Sequence, residues 1–510
     1  MNSIINLSGR GQRSPWPSRR KPSTRSLLLF PSLILTLVVF LCYYYSVSRY
    51  ALTARNSTPS AATLRCSHSI LSTGERFLWY APHSGFSNQL SELSNAALIA
   101  GILNRTLVVP PVLDHHAVAL GSCPKFRVLS STEIRAAVWD HALELMRSGR
   151  YVSMADIMDI SSLVSSSLIR TVDFRAFASL FCGLSMEDAC SSSNSMTQAA
   201  LLNSLKQCGS FLSGADGNVN KCLYAVEEDC RNTVWIYQKE DEDGKLDVFQ
   251  PDEQLRKKKK ISYIRTRRDV YKTLGPGTEA ESAAVIAFGS LFTSPYKGSQ
   301  LLIDITGAPV DRSIQSLIEK IEFLPFVPEI VRAGKEYVEK TIKAPFLCAQ
   351  LRLLDGQFKN HWKSTFIGLK EKIESLRQKG SLPIHVFVMT DLPQSNWTGN
   401  YLGELVQDIR SYKVHFLKAE DDLTVKTSRE ISVAGHSLES GRVPYVFDGV
   451  DKLRKNCSPK DLPDVLLYIE EVVCSCASLG FVGTAGSTIA ERIEGMRKYD
   501  SCPHSSSTSS

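Results

Sequence analysis

Apolar and polar positions along this chain follow a pattern that predicts repeated strand, turn and helix units. In "FLWYAPHSGFSNQLSELSNAALIAGILNRTLVVPP", which begins at Phe77, an apolar run precedes a Gly/Ser/Asn turn, a segment of helical periodicity and a second apolar run. Apolar residues recurring every three to four positions are typical of a helix against a core, and short apolar runs are typical of buried strands. The pattern therefore predicts strand, turn, helix and strand.

The second half of the chain repeats this alternation from about Ala344 onward. The runs "PFLCAQLRL", "IHVFVMTD" and "YKVHFLKAE" predict buried strands, and helical segments such as "FIGLKEKIESLRQKG" separate them. The segment "LPDVLLYIEEVVCSCASLGFVGTAGSTIAERIEGMRK" then predicts helix, strand, polar turn and helix. Strands that alternate with helices form parallel sheets covered on both faces. We therefore expect an α/β fold with two sheets in tandem and a ligand cleft at the carboxyl ends of their strands.

The pattern is weaker between these two parts. Residues 131–147 have helical periodicity behind a Ser/Thr cap, and "TVWIYQ" and "LLIDI" predict strands at Thr233–Gln238 and Leu301–Ile305. The basic run "RKKKKISYIRTRRDVYKTLGPG" lies between those two strands. We expect this run to be a solvated face or loop, and the alternative is a surface that recruits an acceptor.

The N-terminal region has the pattern of a membrane anchor. The stretch from Ser26 to Val47 contains no charged residue, and a helix needs about 20 apolar residues to cross a bilayer. Basic residues precede it and acidic residues do not, so the positive-inside rule keeps the short N-terminus cytoplasmic. We favour a signal anchor over a cleaved signal peptide because the apolar segment is long and no A-x-A-like site follows cleanly. The body of the chain is then expected to be lumenal.

Composition agrees with a globular lumenal protein. The chain has 510 residues, 43% of them hydrophobic and 22% charged, and its net charge of +7 gives little support for nucleic-acid binding. The 13 cysteines, of which Cys42 lies in the apolar stretch, indicate an oxidising compartment. Asn396 is the best candidate among the glycosylation sequons. A cluster of cysteines predicts a disulfide-stapled insertion of open connectivity, formed by Cys182, Cys190, Cys208, Cys222 and Cys230.

Two of the polar turns have the composition of anion sites. In "HSGFSNQ", Gly85 permits close backbone approach, and the helix that follows offers free N–H groups to a phosphate. In "GTAGST", Ser487 and Thr488 open a helix after a strand that ends at Val482, so hydroxyl and N–H groups converge at a positive helix end. The alternatives are ordinary turn geometry for the first and a plain Ser/Thr helix cap for the second.

Charged residues near the second sheet add to these turns. Arg352 stands just past a predicted strand in "CAQLRLLDGQFKN", and its planar guanidinium suits a diphosphate. The alternative for Arg352 is a structural pair with Asp355. Glu470 and Glu471 lie one helix before the Ser487 turn. A carboxylate is a natural partner for guanine, whose Watson–Crick edge presents two donors side by side.

Together these segments resemble a known family. "GFSNQL", "ALIAGILNRTLVVPPVLDHH", "QLRLLDG", "VFVMTDLP" and "ASLGFVGTAGSTIAERIEGMRK" are similar to motifs of the plant O-fucosyltransferase-like glycosyltransferases, which are relatives of the GDP-fucose protein O-fucosyltransferases. The resemblance runs from about Phe77 to Lys498. It implies a GT-B-type fold of two Rossmann-like domains, with a nucleotide sugar bound in the cleft between them and no metal ion.

The resemblance also implies an activity and a location. The chain would be a Golgi glycosyltransferase, single-pass and type II, that transfers fucose from GDP-fucose to a hydroxyl of a protein or cell-wall glycan with inversion and without a cofactor. The alternatives are transfer from GDP-mannose or UDP-rhamnose, or a lumenal glycan-binding pseudoenzyme. The domain organisation expected is 1–25 cytoplasmic tail, 26–47 transmembrane signal anchor, 48–74 stem, 75–340 N-terminal Rossmann-like domain with the cysteine-rich insertion, 341–500 C-terminal nucleotide-sugar-binding domain, and 501–510 disordered tail.

The resemblance assigns roles to individual residues. Arg352 and His83 are the catalytic residues that we predict. Relatives often have His where this chain has Gln350, and some have Asp where it has Glu471, so the donor sugar stays open. The implied donor-binding set is the loop Gly85, Phe86, Ser87 and Asn88, the diphosphate-binding Arg352, the guanine-binding Glu471, and the phosphate-contacting Ser487 and Thr488.

A metal site and a general base complete the candidate chemistry. The stretch Asp241–Asp243 formally matches the D-x-D pattern of metal-dependent glycosyltransferases, but the run "KEDEDGK" is typical of a solvated acidic turn. We therefore predict no metal site. His83, Asp114 and His115 are base candidates because they follow predicted strands, and the alternative for each is a capping or core-edge role.

Overall fold

The computed structural model describes most of the chain after the stem. It covers residues 66, 68–114, 117–118, 129–186, 195–229, 232–237, 245–249, 263–292, 303–304, 311–354, 358, 362–380, 382–439, 462, 465–499 and 502. All of these belong to one compact unit, Arg65–Ser510. No helix in this part of the chain is long and apolar enough to span a bilayer, and the predicted anchor 26–47 lies outside it.

Strands are short and apolar in most of the described chain. In chain order they are β1 (Phe77–Trp79), β2 (Thr106–Val109), β3 (Arg170–Asp173), β4 (Leu223–Ala225), β5 (Thr233–Ile236), β6 (Lys245–Phe249), β7 (Tyr263–Asp269), β8 (Val285–Ala287), β9 (Ile303–Asp304), β10 (Phe346–Leu351), β11 (Ile384–Thr390), β12 (Tyr412–His415) and β13 (Gly480–Gly483).

Helices connect most of these strands. In chain order they are α1 (His68–Ser72), α2 (Phe86–Ile102), α3 (Ser131–Arg147), α4 (Met154–Ile157), α5 (Ser161–Ser165), α6 (Phe174–Cys182), α7 (Ser195–Leu212), α8 (Val270–Leu274), α9 (Glu279–Ser282), α10 (Arg312–Glu322), α11 (Pro328–Tyr337), α12 (Trp362–Gln378), α13 (Tyr401–Gln407), α14 (Asp422–Ala434), α15 (His436–Glu439), α16 (Val465–Ser475) and α17 (Thr488–Lys498). A π-helical turn, Val338–Ile342, extends α11, and a 3₁₀ turn spans Gln394–Asn396.

The first sheet is parallel and contains the first predicted strand–turn–helix unit. Its strand order is β3-β2-β1-β8-β4. Along β1, Leu78 packs into the core on one face of the sheet, while Phe77 and Trp79 pack into the core on the other. Successive strand side chains point to opposite faces, so a strand buried on both sides is apolar throughout. This is why the sequence shows an unbroken apolar run there.

The second sheet is also parallel, in the order β12-β11-β10-β13. Leu347, Ala349 and Leu351 of β10 pack on one face, and Cys348 packs on the other. The four strands correspond to apolar runs in the second half of the sequence. An α/β fold with parallel sheets is thus confirmed.

A third sheet corrects the expectation for the basic run. Its order is β6-β7-β5-β9, and β7 lies inside it, parallel to β5 and antiparallel to β6. Tyr263–Asp269 is therefore a strand and not a loop, and residues 256–262 of the basic run lie outside the described residues. Both neighbours of β7 supply backbone hydrogen bonds, so a strand rich in arginine can form without an apolar pattern. The side chain of Arg268 is exposed, whereas that of Arg265 is buried.

The predicted helix at residues 131–147 is confirmed at both ends. Ser130 caps α3: its hydroxyl accepts a hydrogen bond from the Glu133 N–H, and the Glu133 carboxylate accepts one from the Ser130 N–H. Such a capping box satisfies N–H groups that have no partner within the helix. Arg147, in the last turn, lies at the negative end of the helix dipole.

Disulfides join distant parts of the described chain. Among the described cysteines of the predicted cluster, Cys182 pairs with Cys208, and Cys222 bonds to Cys66. Cys190 and Cys230 lie outside the described residues. The connectivity that the sequence leaves open thus includes a bridge from Cys222, which fastens β4 to the residues before α1. Two further pairs lie in the second half, Cys348–Cys474 and Cys476–Cys502.

Candidate functional site

Hydrogen bonds from neighbouring residues fix the backbone of the turn after β1. Ser84 has a left-handed backbone, with φ of 64°, and Gly85 is the extended N-cap of α2 without a side-chain capping bond. The buried side chain of Gln89 fixes this geometry. Its amide donates to the carbonyls of Ser84 (2.8 Å) and Leu113 (3.0 Å), and its carbonyl accepts from the Leu113 N–H at 2.9 Å. The first turn of α2 thus presents its backbone N–H groups from a fixed position.

Phe86 brings this turn against the second half of the chain. Its ring lies 4.5 Å from the ring of Tyr468 and 6.3 Å from that of Phe326, centroid to centroid. The guanidinium of Arg492 lies over the Phe326 ring at 4.2 Å and 5.9 Å from the Phe86 centroid. Tyr468 belongs to α16 and Arg492 to α17. The Gly/Ser/Asn turn and the Ser/Thr turn are therefore adjacent through this aromatic cluster.

His83 is enclosed in a buried polar network. Its side chain contacts the hydroxyl of Ser84 through Nδ1 (2.8 Å) and that of Ser290 through Nε2 (2.6 Å), and it lies 3.0 Å from a carboxylate oxygen of Glu92. His83 is 1% exposed. Burial lowers the pKa of His83 to about 3 and raises the pKa of Glu92 well above its usual value. The imidazole is therefore neutral and has no open nitrogen to offer an acceptor.

Arg352 follows β10 directly and is tied to the Ser/Thr turn. Its backbone N–H donates to the hydroxyl of Thr484 at 2.9 Å, and its guanidinium lies 4.8 Å from the centre of the Phe358 ring. Gln350 completes the link, because its side-chain oxygen accepts from the Thr484 N–H at 3.2 Å. The side chain of Arg352 is half-buried. Asp355, the alternative structural partner, lies outside the described residues.

Ser487 occupies the N-cap of α17 without acting as a side-chain cap. No capping hydrogen bond forms from its hydroxyl, and this buried oxygen has no partner among the described residues. Thr488, the first helical residue, is half-buried. A plain Ser/Thr cap would satisfy N–H groups at the helix start. Those groups instead remain at a helix end that carries partial positive charge, which favours an anion.

Glu471 forms a buried ion pair with Arg492. The Arg492 Nε donates to one carboxylate oxygen at 2.9 Å, and the side chains of Glu471 and Arg492 are 0% and 8% exposed. Burial raises the pKa of Glu471 to about 7, although the Arg492 charge works against this rise. The second carboxylate oxygen, Oε1, has no partner within the described part of the chain. Arg492 thus occupies one of the two carboxylate oxygens of Glu471.

Three buried polar atoms without partners in the described structure belong to residues predicted for the site. They are Asn88 Oδ1, Glu471 Oε1 and Ser487 Oγ, which come from three separate predicted segments, while others, such as Trp79 Nε1, Tyr80 Oη and Ser153 Oγ, lie outside those segments. The large majority of buried polar atoms in native proteins are hydrogen-bonded, and each exception needs an explanation, such as strain, a functional role or a bound water or ion. Gly85, Phe86 and Ser87 belong to the same turn as Asn88. Arg352 adds a positive charge beside the Ser487 turn.

The remaining candidates are Asp114, His115 and the stretch Asp241–Asp243. Asp114 lies near Arg150, with 2.9 Å between a guanidinium nitrogen and a carboxylate oxygen, and lines a pocket with Tyr468. His115 and the stretch Asp241–Asp243 are outside the described residues. In the described chain no group of His, Cys, Asp and Glu side chains could hold a metal ion.

Sequence reasoning missed the residues that join the segments. The sequence pattern predicts no site role for Arg492, Tyr468 or Phe326, and it marks Gln350 only as a departure from relatives. One signal for Arg492 was available: it lies in a helix whose buried side includes Ala490, Ile493 and Met496, where an arginine needs a carboxylate partner.

These elements define the class of protein: an α/β protein whose polar turns meet at the carboxyl ends of two parallel sheets. The chain is 56% identical over 512 residues to O-fucosyltransferase 30 of Arabidopsis thaliana, with 99% of this chain and 100% of that protein covered. The chain therefore belongs to the O-fucosyltransferase family, and the resemblance seen in the sequence is confirmed. No protein-family model matches the chain.

The solved structures that match the chain are more distant. One is POFUT1 in complex with GDP-fucose, at 11% identity and a TM-score of 0.33, with 84% of this chain and 95% of that chain covered. Another is POFUT1 in complex with GDP, at 12% identity and a TM-score of 0.33, with 83% of this chain and 94% of that chain covered.

Proposed function

We propose that this protein is a glycosyltransferase that transfers fucose from GDP-fucose to a hydroxyl of a protein or cell-wall glycan. The observation that carries the proposal is the coincidence of Asn88, Glu471 and Ser487, each with a buried polar atom that lacks a described partner. Family membership, at 56% identity to a protein named O-fucosyltransferase, supports the same activity. A GT-B-type arrangement, with the donor between the two parallel sheets, follows from this proposal.

In the proposed complex the diphosphate lies between the starts of α2 and α17. Donors to the diphosphate are the N–H groups of both first turns and the hydroxyls of Ser487 and Thr488. The planar guanidinium of Arg352 offers it paired N–H donors. The free oxygen of Glu471 accepts from the guanine edge. Gly85 leaves room for close approach, and Asn88 and Ser87 face the sugar.

In the proposed mechanism the enzyme stabilises the charge that develops in the transition state. As the bond between fucose and the diphosphate breaks, negative charge grows on the departing phosphate and positive charge on the sugar ring. Arg352 and the α17 N-terminus stabilise that negative charge in a fixed geometry, which is worth roughly 3–4 kcal/mol per donor in other enzymes. In-line attack by the acceptor hydroxyl inverts the anomeric centre. His83 acts in this scheme as a positioning residue, because its ring is enclosed and holds the turn through Ser84.

A donor assay tests this proposal directly. Full-length protein purified in detergent is given GDP-fucose, GDP-mannose or UDP-rhamnose, and release of free nucleoside diphosphate is measured with and without EDTA. We expect slow release of GDP from GDP-fucose alone, unchanged by EDTA. Release only from another nucleotide sugar would change the donor, and no release from any would favour a glycan-binding pseudoenzyme.

The location is part of the proposal. The uncharged stretch Ser26–Val47 with its basic flank supports a Golgi type II anchor, and the disulfides support an oxidising lumen. Protease added to sealed Golgi vesicles should spare the chain from Ala51 onward. Digestion of that body would refute the lumenal orientation.

A further inference from the structure

We infer that the pocket beside Tyr468 is the acceptor subsite and that it takes one neutral sugar ring, bound through its hydroxyls by Asp114 and Arg150. This inference rests on the proposed function. Asp114, Arg150 and Val152 line the pocket from the first half of the chain, and Leu462, Val465 and Tyr468 line it from the second. The acceptor would therefore be a glycan, not a bare peptide.

The pocket adjoins the donor turn. Tyr468 lines the pocket and also contacts Phe86, with 4.5 Å between ring centres, and Phe86 is the first residue of the helix at the donor turn. Tyr468 and Glu471 lie one helical turn apart in α16, so they share a side of that helix. Transfer requires the acceptor hydroxyl within about 3–3.5 Å of the reacting carbon. A sugar against Tyr468 lies next to the proposed donor.

The lining of the pocket matches the two faces of a pyranose. One side of such a ring presents C–H groups, which pack on aliphatic and aromatic walls such as Val152, Leu462, Val465 and Tyr468. Ring hydroxyls both donate and accept hydrogen bonds. A carboxylate only accepts and a guanidinium only donates, so Asp114 and Arg150 together satisfy a hydroxyl in both roles.

Asp114 and Arg150 are pre-positioned for this task. Their side chains are 2.9 Å apart and remain 38% and 37% exposed, so each keeps open positions for a ligand. The His141 side chain accepts from the Asp114 N–H at 3.3 Å and lies 3.6 Å from its carboxylate. His141 thus holds the backbone of Asp114, and Arg150 donates a hydrogen bond to its carboxylate at 2.9 Å. Because the pair is neutral overall, it favours uncharged sugars over acidic ones.

The test compares Arg150→Met with a matched control, Arg147→Met. Both substitutions remove a partly exposed guanidinium, but Arg147 pairs with Glu144 on the surface of α3 and does not line the pocket. Full-length protein in detergent is assayed for fucose transfer from GDP-fucose to a panel of neutral methyl glycosides, for transfer to serine- and threonine-containing peptides, and for GDP release without an acceptor.

We expect Arg150→Met to raise KM for the best methyl glycoside by about tenfold or more, the loss typical of a hydrogen bond to a charged group. KM for GDP-fucose and acceptor-free GDP release should stay within about twofold of wild type, and Arg147→Met should change none of these. An unchanged glycoside KM in Arg150→Met, an equal loss of acceptor-free release, or transfer to peptides alone would overturn the assignment. Failure of the proposed function looks different, because the wild type itself would then release no GDP.

Discussion

Arg352→Lys is the substitution that tests the proposed mechanism most directly. It keeps the positive charge after β10 but replaces the planar guanidinium, with its paired N–H donors, by a compact ammonium group. The backbone N–H of Arg352, which donates to Thr484 at 2.9 Å, is unaffected. The change therefore removes the diphosphate contact while leaving the local backbone anchored.

Arg352→Lys should lower kcat far more than it lowers the stability of the folded protein. If the guanidinium stabilises charge on the departing diphosphate, losing it should cost roughly 3–4 kcal/mol in the transition state, or about 100- to 1000-fold in kcat. The Phe358 contact of the folded state is worth much less. The side chain is half-buried, and among its contacts the one with the Phe358 ring at 4.8 Å is worth only about 0.5–1 kcal/mol at an exposed site. A lysine retains part of that contact, so Tm should fall by no more than about 2–4 °C.

Both quantities must be measured on one preparation. Steady-state kinetics with GDP-fucose should show the loss mainly in kcat and less in KM, because the stabilised charge grows only in the transition state. Arg332→Lys is the control, since Arg332 forms a surface pair with Glu430 at 2.7 Å. Near-normal turnover in Arg352→Lys, or a large fall in Tm with normal turnover of the folded fraction, would refute the catalytic role of Arg352.

Three further predictions concern the elements around Arg352. Gln350→Ala removes the side-chain acceptor at the Thr484 N–H, which keeps its bond to the Gln350 backbone carbonyl at 3.0 Å, and should raise KM for GDP-fucose with a smaller effect on kcat, whereas an unchanged KM would leave Gln350 outside the site. Loss of the Cys348–Cys474 disulfide, which closes a separation of 126 residues, should lower the free energy of unfolding by about 5 kcal/mol and weaken GDP-fucose binding; denaturant unfolding of the Cys348→Ala variant and calorimetry check both. Glu471 loses its proton as pH rises through about 7, and the carboxylate accepts more strongly from guanine. GDP-fucose affinity should therefore rise across that range in wild type and stay flat in Glu471→Gln; equal profiles would remove Glu471 from the guanine site.

Local pattern was enough to predict the elements that carry the site. The turn at Gly85, the strand before Arg352 and the helix that begins at Thr488 each follow from apolar runs and turn residues in a short window. These features are encoded within one strand–turn–helix unit, so no knowledge of distant contacts is needed. The α/β fold with parallel sheets followed from the same alternation.

Contacts between the segments could not be predicted in this way. The cluster of Phe86, Phe326, Tyr468 and Arg492 joins residues that are far apart in the sequence. No local periodicity specifies which aromatic ring meets which turn. Strand β7 was missed for a related reason, because its stability comes from backbone pairing on both sides and not from apolar side chains. Its arginines gave the pattern of a solvated loop.

His83 shows how location near a strand end can mislead. The sequence places it beside the glycine turn, where a base would stand, but the fold closes Glu92 of α2 and Ser290 around it. The side chain of Glu92 also accepts from the His83 N–H at 3.2 Å. A residue in this position can orient the turn, and both of its ring nitrogens already contact neighbouring side chains. Burial, which decides between these roles, depends on the packing of the whole sheet.

The Glu471–Arg492 pair is explained better by binding than by stability. Burying both charges carries a desolvation penalty of several kcal/mol per ion, and replacing a buried pair by well-packed hydrophobic residues of similar volume is often neutral or stabilising by about 1–4 kcal/mol. The double variant Glu471→Met/Arg492→Met should therefore unfold at a denaturant concentration equal to or above that of wild type. Arg492→Met alone should be less stable, because Glu471 stays buried without its partner. The double variant should nevertheless lose most of its affinity for GDP-fucose, measured by calorimetry, because the oxygen proposed to accept from guanine and the cation that holds it are both gone. Wild-type affinity in a stable double variant would mean that the pair serves only to join α16 to α17.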